Sequence, residues 1–195
     1  MEELGITKQQ ASELVEKYIT NPITKLHLIE SEEIMKALAR KFGEDEERWG
    51  IIGLLHDIDW DMSKDNTVEH CAKMVPILKG AGATDFLVET ILSHGYGNPL
   101  CGVPQDKVRS TRLEYSLAAA ETLTGLIVAS AFVQPDKKLA SVRLESLKKK
   151  FKSKSFAAGC DREIIKECEK AGVPLDEFLE LGLTALQNIS SKLGL

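Results

Sequence analysis

Apolar residues recur along this chain at three- and four-residue steps, while alternating β-branched runs are nearly absent, a pattern that predicts an all-α fold. Thr7 can cap a first helix running to about Ile19, and Asn21-Pro22 supplies a cap and a first-turn proline for a second that runs to about Phe42 and stops at Gly43. Along this second helix Ile23, Leu26, Ile34, Leu38 and Phe42 mark the inner face, leaving Lys25, Glu32, Glu33, Lys36 and Arg40 for water. A third helix begins near Asp45 and enters the run Ile51, Ile52, Leu54, Leu55, too apolar all round for a surface helix and therefore expected at the centre. Asn66 or Thr67 can cap a fourth through Leu78, Thr84 a fifth ending at His94, and Ser110 a long sixth through Val133. Two more, roughly Asp161 to Ala171 and Pro174 to Lys192, finish the chain with Gly172 between them.

The chain has 195 residues, 43% hydrophobic and 28% charged with formal net charge -5, which suits one domain and excludes a disordered or fibrous protein. The longest apolar patch, Leu123 to Val133, is broken by Thr124, Gly125 and Ser130, so no membrane span is expected. The polar start MEELGITKQQ lacks the basic and apolar regions of a signal peptide, which points to the cytoplasm. Cys71, Cys101, Cys160 and Cys168 form no C-x-x-C pair and are expected to be reduced and mostly structural. Residues 137 to 154 hold eight Lys or Arg against one acid, Glu145, which reads as the solvated face of a helix. Only Phe151 interleaves them and the rest of the chain is acidic, which weighs against nucleic acid and for a small substrate.

The central helix delivers its chemistry at one end, in His-Asp-Ile-Asp-Trp-Asp at residues 56 to 61. The chain has only four histidines, His27, His56, His70 and His94, each near a helix expected to pack around one centre. Neutral imidazole is the commonest ligand for zinc, iron and manganese, and a carboxylate such as Asp57 can complete or bridge such a site. Adjacent helical side chains diverge by about 100°, so His56 and Asp57 together suit an ion lying between helices.

Leu26-His27, Gly-Leu-Leu-His-Asp-Ile at 53 to 58, His70, and Ile-Leu-Ser-His at 91 to 94, in this order and spacing, resemble the HD-domain superfamily of metal-dependent phosphohydrolases. The segment Leu117 to Ile127 is similar to the helix carrying that family's last metal-binding aspartate, a position held here by Glu121. The resemblance covers about residues 22 to 135 and implies an HD helical bundle, with residues 136 to 195 as a C-terminal helical extension of one domain. It further implies one or two divalent ions (Mn, Fe, Co, Zn, Ni or Mg), with His27, His56, Asp57 and Glu121 as primary ligands and His70 and His94 serving a second ion. The usual Gly-Lys after His-Asp-Ile is replaced by Asp59-Trp60, which leaves Asp61 as candidate general base and Lys64 as candidate phosphate contact. The activity implied is hydrolysis of a small phosphorylated or nucleotide-like substrate by a metal-activated water. The same ligand order also resembles HD-type di-iron oxygenases, and the Asp-to-Glu replacement admits a regulatory module whose metal site has drifted.

Overall fold

A computed structural model describes residues 2–195, and among them it contains helices, turns and loops but no strand. The helices are α1 (Lys8–Tyr18), α2 (Pro22–Phe42), α3 (Glu46–Leu55), α4 (Trp60–Ser63), α5 (Met74–Gly80), α6 (Asp85–Leu92), α7 (Arg112–Phe132), α8 (Leu144–Lys152), α9 (Arg162–Lys166), α10 (Cys168–Ala171), α11 (Leu175–Asn188) and α12 (Ser190–Leu193). Short 3-10 turns at Thr67–Glu69, Ser93–Gly95 and Leu139–Ser141 punctuate them.

The long helices start and stop where local chemistry dictates. Asn21 accepts from the Ile23 amide and Pro22 fills the first turn of α2, while Gly43 closes it at φ 69°. Thr111, not Ser110, caps α7, forming a reciprocal capping box with Glu114. Two positions on α2 reverse the expected faces. Ile23 is 75% exposed, and Glu32 is buried because Lys8 and Lys36 hold its carboxylate at 2.6 and 2.5 Å.

The expected fourth helix is largely absent. Residues 67 to 73 form a 3-10 turn and further turns, and helix begins only at Met74, because His70 and the Met74 amide are both held by Asp59. The fifth ends at Leu92, so His94 lies in the following 3-10 turn. The two expected C-terminal helices each break in two, at Glu167 and Ile189.

α3 lies at the centre, with every residue from Trp49 to Leu55 buried, packed chiefly on α2. α7 crosses α2 and is itself covered by α8, α9, α10 and α11. α7 has the length and apolarity of a membrane span, but most of it is buried inside the protein, where Leu117, Leu123, Leu126 and Ile127 are inaccessible. The C-terminal helices are therefore part of the bundle, and one apolar cluster runs from Leu4 to Leu193.

Within that extension Arg162 is 8% exposed and its guanidinium donates to backbone carbonyls of Lys150, Phe151, Ser153, Phe156, Ala157 and Cys160. It ties the loop 153–161 into shape. The lysines expected on a solvated face do lie outside α8, whose Leu147 and Phe151 are buried, and Lys148 pairs with Asp176 at 3.0 Å.

Candidate metal centre

α2, the end of α3, the turn after Glu69 and the turn after α6 each present one imidazole to a common point beside α7. His56 follows α3 directly and is inaccessible, and His27 stands on the first turns of α2. His27 Nε2 lies 3.0 Å from His56 Nε2, and His70 Nε2 lies 3.2 Å from His94 Nε2. Between the two pairs sits the Asp57 carboxylate. Its Oδ1 is 3.3 Å from His70 Nε2, 3.3 Å from His94 Nε2 and 3.6 Å from His56 Nε2, while Oδ2 is 3.7 Å from His27 Nε2.

The other ring nitrogens determine what these close approaches mean. His56 Nδ1 donates to the Gly53 carbonyl at 2.8 Å, His94 Nδ1 to the Ile91 carbonyl at 2.6 Å, and His70 Nδ1 to Asp59 Oδ1 at 2.9 Å. The Thr124 hydroxyl donates to the Glu121 carbonyl at 2.7 Å, leaving its oxygen to accept from His27 Nδ1 at 2.9 Å. With each Nδ1 carrying its proton, each neutral ring directs a lone pair from Nε2 toward the centre. Two lone pairs facing each other at 3.0 or 3.2 Å repel unless something positive lies between them. The donor set therefore fits divalent cations, and an acceptor on the far nitrogen of every imidazole is the arrangement that orients histidine ligands in metal sites.

The electrostatics agree. Burial, partly offset by Asp57, lowers the His56 imidazole to about 3, and burial likewise lowers His27, so both are neutral ligands at neutral pH. Burial opposes charge on His70 too, but its hydrogen bonds to Asp57 and Asp59 prevail and raise it to about 10, so the space between these rings favours positive charge. The Asp57 carboxyl is held well below its ordinary value: burial works against its charge, but His56, His70 and His94 overcome it.

Six expected site residues come together here: His27, His56, Asp57, His70 and His94 in the cluster, and Glu121 on the wall of the adjoining cavity. Glu121 stands apart from the tight donor groups. Its Oε1 accepts from the Thr122 hydroxyl at 2.5 Å, and burial raises its carboxyl to about 7. Asp61 and Lys64 do not join. Asp61 Oδ2 accepts from the Thr20 and Asn21 amides at 2.7 and 2.8 Å, and Oδ1 from the Thr24 hydroxyl at 3.2 Å, fixing the start of α2. Desolvation works against its charge, but those bonds prevail and hold its carboxylate below its ordinary value, and Lys64 is exposed and off the cavity wall.

From the sequence Cys71 reads as a structural cysteine and Thr124 only as a polar break in an apolar run, and Arg109 carries no signal. Cys71 is inaccessible, with Sγ 3.8 Å from His94 Nε2, and its position directly after His70 was the available signal. The cavity of about 690 Å³ opens from the histidines past Trp60, Tyr96 and Asn98 to Cys160 and Asp161, so the C-terminal extension supplies part of its wall. Arg109, which lines it, donates to the Ser93, His94 and Tyr96 carbonyls and pairs with Glu167 at 2.5 Å. Its role is to hold the turn that carries His94.

The family model of the HD domain matches residues 25–109, which takes in all four histidines and Asp57 and stops before Glu121. No curated protein and no solved structure matches the chain.

Proposed function

Residues 25–109 are an HD domain, a family that binds divalent metals, and on that basis we propose that the protein is a metal-dependent phosphohydrolase acting on a small phosphorylated or nucleotide-like substrate. The observation that carries this is the set of four inward Nε2 lone pairs arranged in two pairs about Asp57, which suits two divalent ions bridged by one carboxylate. His27 and His56 would hold one ion and His70 and His94 the other, with Asp57 shared. Divalent ions held by these residues would lower the pKa of water and draw charge from a phosphoryl oxygen.

The chain's own residues do the positioning. Thr124, Gly53, Asp59 and Ile91 fix the four rings through their Nδ1 atoms, so little reorganisation is needed during reaction. Asp57 keeps its negative charge between the pairs. Glu121, poised near neutrality by burial on the cavity wall, is suited to take or return a proton at Oε1 or Oε2. The half-exposed Trp60 and buried Tyr96 offer apolar surface to the non-phosphate part of the substrate.

His56→Ala and Asp57→Ala, each checked for retained helical circular dichroism, are expected to abolish phosphate release from a panel of phosphomonoesters and nucleotides. Activity surviving in both overturns the reading. A second reading, the di-iron oxygenase, draws support from one feature: among the described residues the only Lys or Arg lining the cavity is Arg109, already engaged by three carbonyls and Glu167. Metal content per chain, measured on protein prepared without chelator under low oxygen, separates them. Two irons with iron-dependent oxygen uptake favour the oxygenase.

A further inference from the structure

The two halves of the centre differ in one donor. His27 and His56 have only Asp57 Oδ2 and Oδ1 beside them, at 3.7 and 3.6 Å. His70 and His94 have Asp57 Oδ1 at 3.3 Å from each ring and, in addition, the Cys71 thiol, so that His70, Cys71 and His94 each place a donor atom within 4.8 Å of the others. His70 and Cys71 are neighbours in sequence, and neighbouring side chains ordinarily diverge. Cys71 takes φ 69°, in the left-handed region, and both side chains reach one point.

The distances among His70, Cys71 and His94 suit a shared metal ion. A tetrahedral ion with nitrogens at about 2.05 Å and sulfur at about 2.3 Å separates nitrogen from nitrogen by about 3.3 Å and nitrogen from sulfur by about 3.6 Å. Here His70 Nε2 and His94 Nε2 are 3.2 Å apart, each is 3.3 Å from Asp57 Oδ1, and Cys71 Sγ is 3.8 Å from His94 Nε2.

We propose that Cys71 is a thiolate ligand of the second ion, beside His70 and His94 and with Asp57 next to both rings, while the His27–His56 position is left for water and substrate. The inference rests on the metal-centre reading above. A site with four protein ligands is characteristic of a structural ion, and a soft thiolate favours zinc over magnesium or manganese. The two positions would then differ in metal preference, the first keeping room for water and substrate and the second holding Asp57 in place.

The test uses cobalt(II) as probe. The full-length protein is stripped with chelator, reloaded with cobalt, and examined for metal content and for the near-ultraviolet sulfur-to-cobalt charge-transfer band that only a thiolate ligand gives. We expect two cobalt ions per chain and the band in wild type and in Cys101→Ser, and loss of the band with one ion bound 10- to 100-fold more weakly in Cys71→Ser. Two bound cobalt ions without the band, or a band that persists in Cys71→Ser, overturn the proposal and leave the metal-centre reading standing. No cobalt binding overturns both. Zinc-edge X-ray absorption on unmutated protein gives the same decision without a variant: a sulfur shell near 2.3 Å supports the thiolate and a purely nitrogen and oxygen shell rejects it.

Discussion

Gly53 packs so closely on Ser31 that a Cβ at Gly53 would lie 2.8 Å from the Ser31 carbonyl oxygen and 3.0 Å from the Glu32 amide nitrogen. α3 thus meets the backbone of α2 directly, and the Gly53 carbonyl in that contact is the acceptor for His56 Nδ1. The approach of two helices and the orientation of one ligand are set at a single residue.

Gly53→Ala is therefore expected to push α3 off α2 and to turn the His56 ring. Overpacking of this kind costs about 1–3 kcal/mol. Thermal unfolding should register the loss, and metal affinity should fall with it. A variant of unchanged melting temperature would contradict the contact.

Thr124→Val keeps the shape of the side chain but removes the acceptor for His27 Nδ1. Loss of such a partner weakens metal binding by about 10- to 100-fold. Competition with a chelating indicator measures the change, and the melting temperature of the metal-free protein should move little by comparison.

Removing bound metal should lower stability by mass action, because an ion held by residues from separate helices binds the native state only. At 100 times the dissociation constant the linkage is about 2.7 kcal/mol. For a chain of this size that is roughly 5–10 °C of melting temperature. Chelator added before a thermal scan should produce this shift, and re-addition of metal should reverse it.

Glu30 is 5% exposed on α2, and burial raises its carboxyl to about 7. The folded pKa lies above the ordinary 4.5, so the native form holds the proton more tightly, and ionisation removes stability as pH rises from about 4.5 through about 7. The ceiling on this loss is about 3 kcal/mol. Glu30→Gln should melt several degrees above wild type at pH 8 and at nearly the same temperature at pH 4.5.

Arg162→Ala removes a donor from six backbone carbonyls, of which those of Lys150, Ser153 and Ala157 still accept from backbone amides while those of Phe151, Phe156 and Cys160 lose the guanidinium. We expect a loss of about 2–4 kcal/mol, since each buried group left unpaired costs about 1–3 kcal/mol and loosening of the loop recovers part of the sum. Limited proteolysis should then cut between residues 150 and 161, a segment whose end lines the cavity. Resistance there would mean that the loop is held by other contacts.

The helical bundle was legible in the sequence because its signals are local. Thr7, Asn21-Pro22, Gly43, Thr84 and the 3.6-residue period of α2 act over single turns, and the structure keeps them. The exceptions are informative. Asn66 and Thr67 looked like caps, but Asp59 captures both His70 and the Met74 amide and holds the chain out of helix until residue 74. Glu32 looked like a surface acid, but two lysines, one from α1, neutralise it inside.

The sequence by itself determined that His27, His56, Asp57, His70 and His94 exist as a set in segments expected to pack around one centre, since their order and spacing carry that information. What only the tertiary structure decided is the direction of each side chain. Asp61 is two residues from Asp59 and has the same side chain, yet it turns to the Thr20 and Asn21 amides ahead of α2 while Asp59 turns to His70, and Cys71 turns toward His94 where a structural cysteine was expected. A residue's type and spacing fix its chemistry and its helix face. Its partner depends on which distant backbone amides and lone pairs the packing of helices leaves unsatisfied within reach, and no local pattern encodes that.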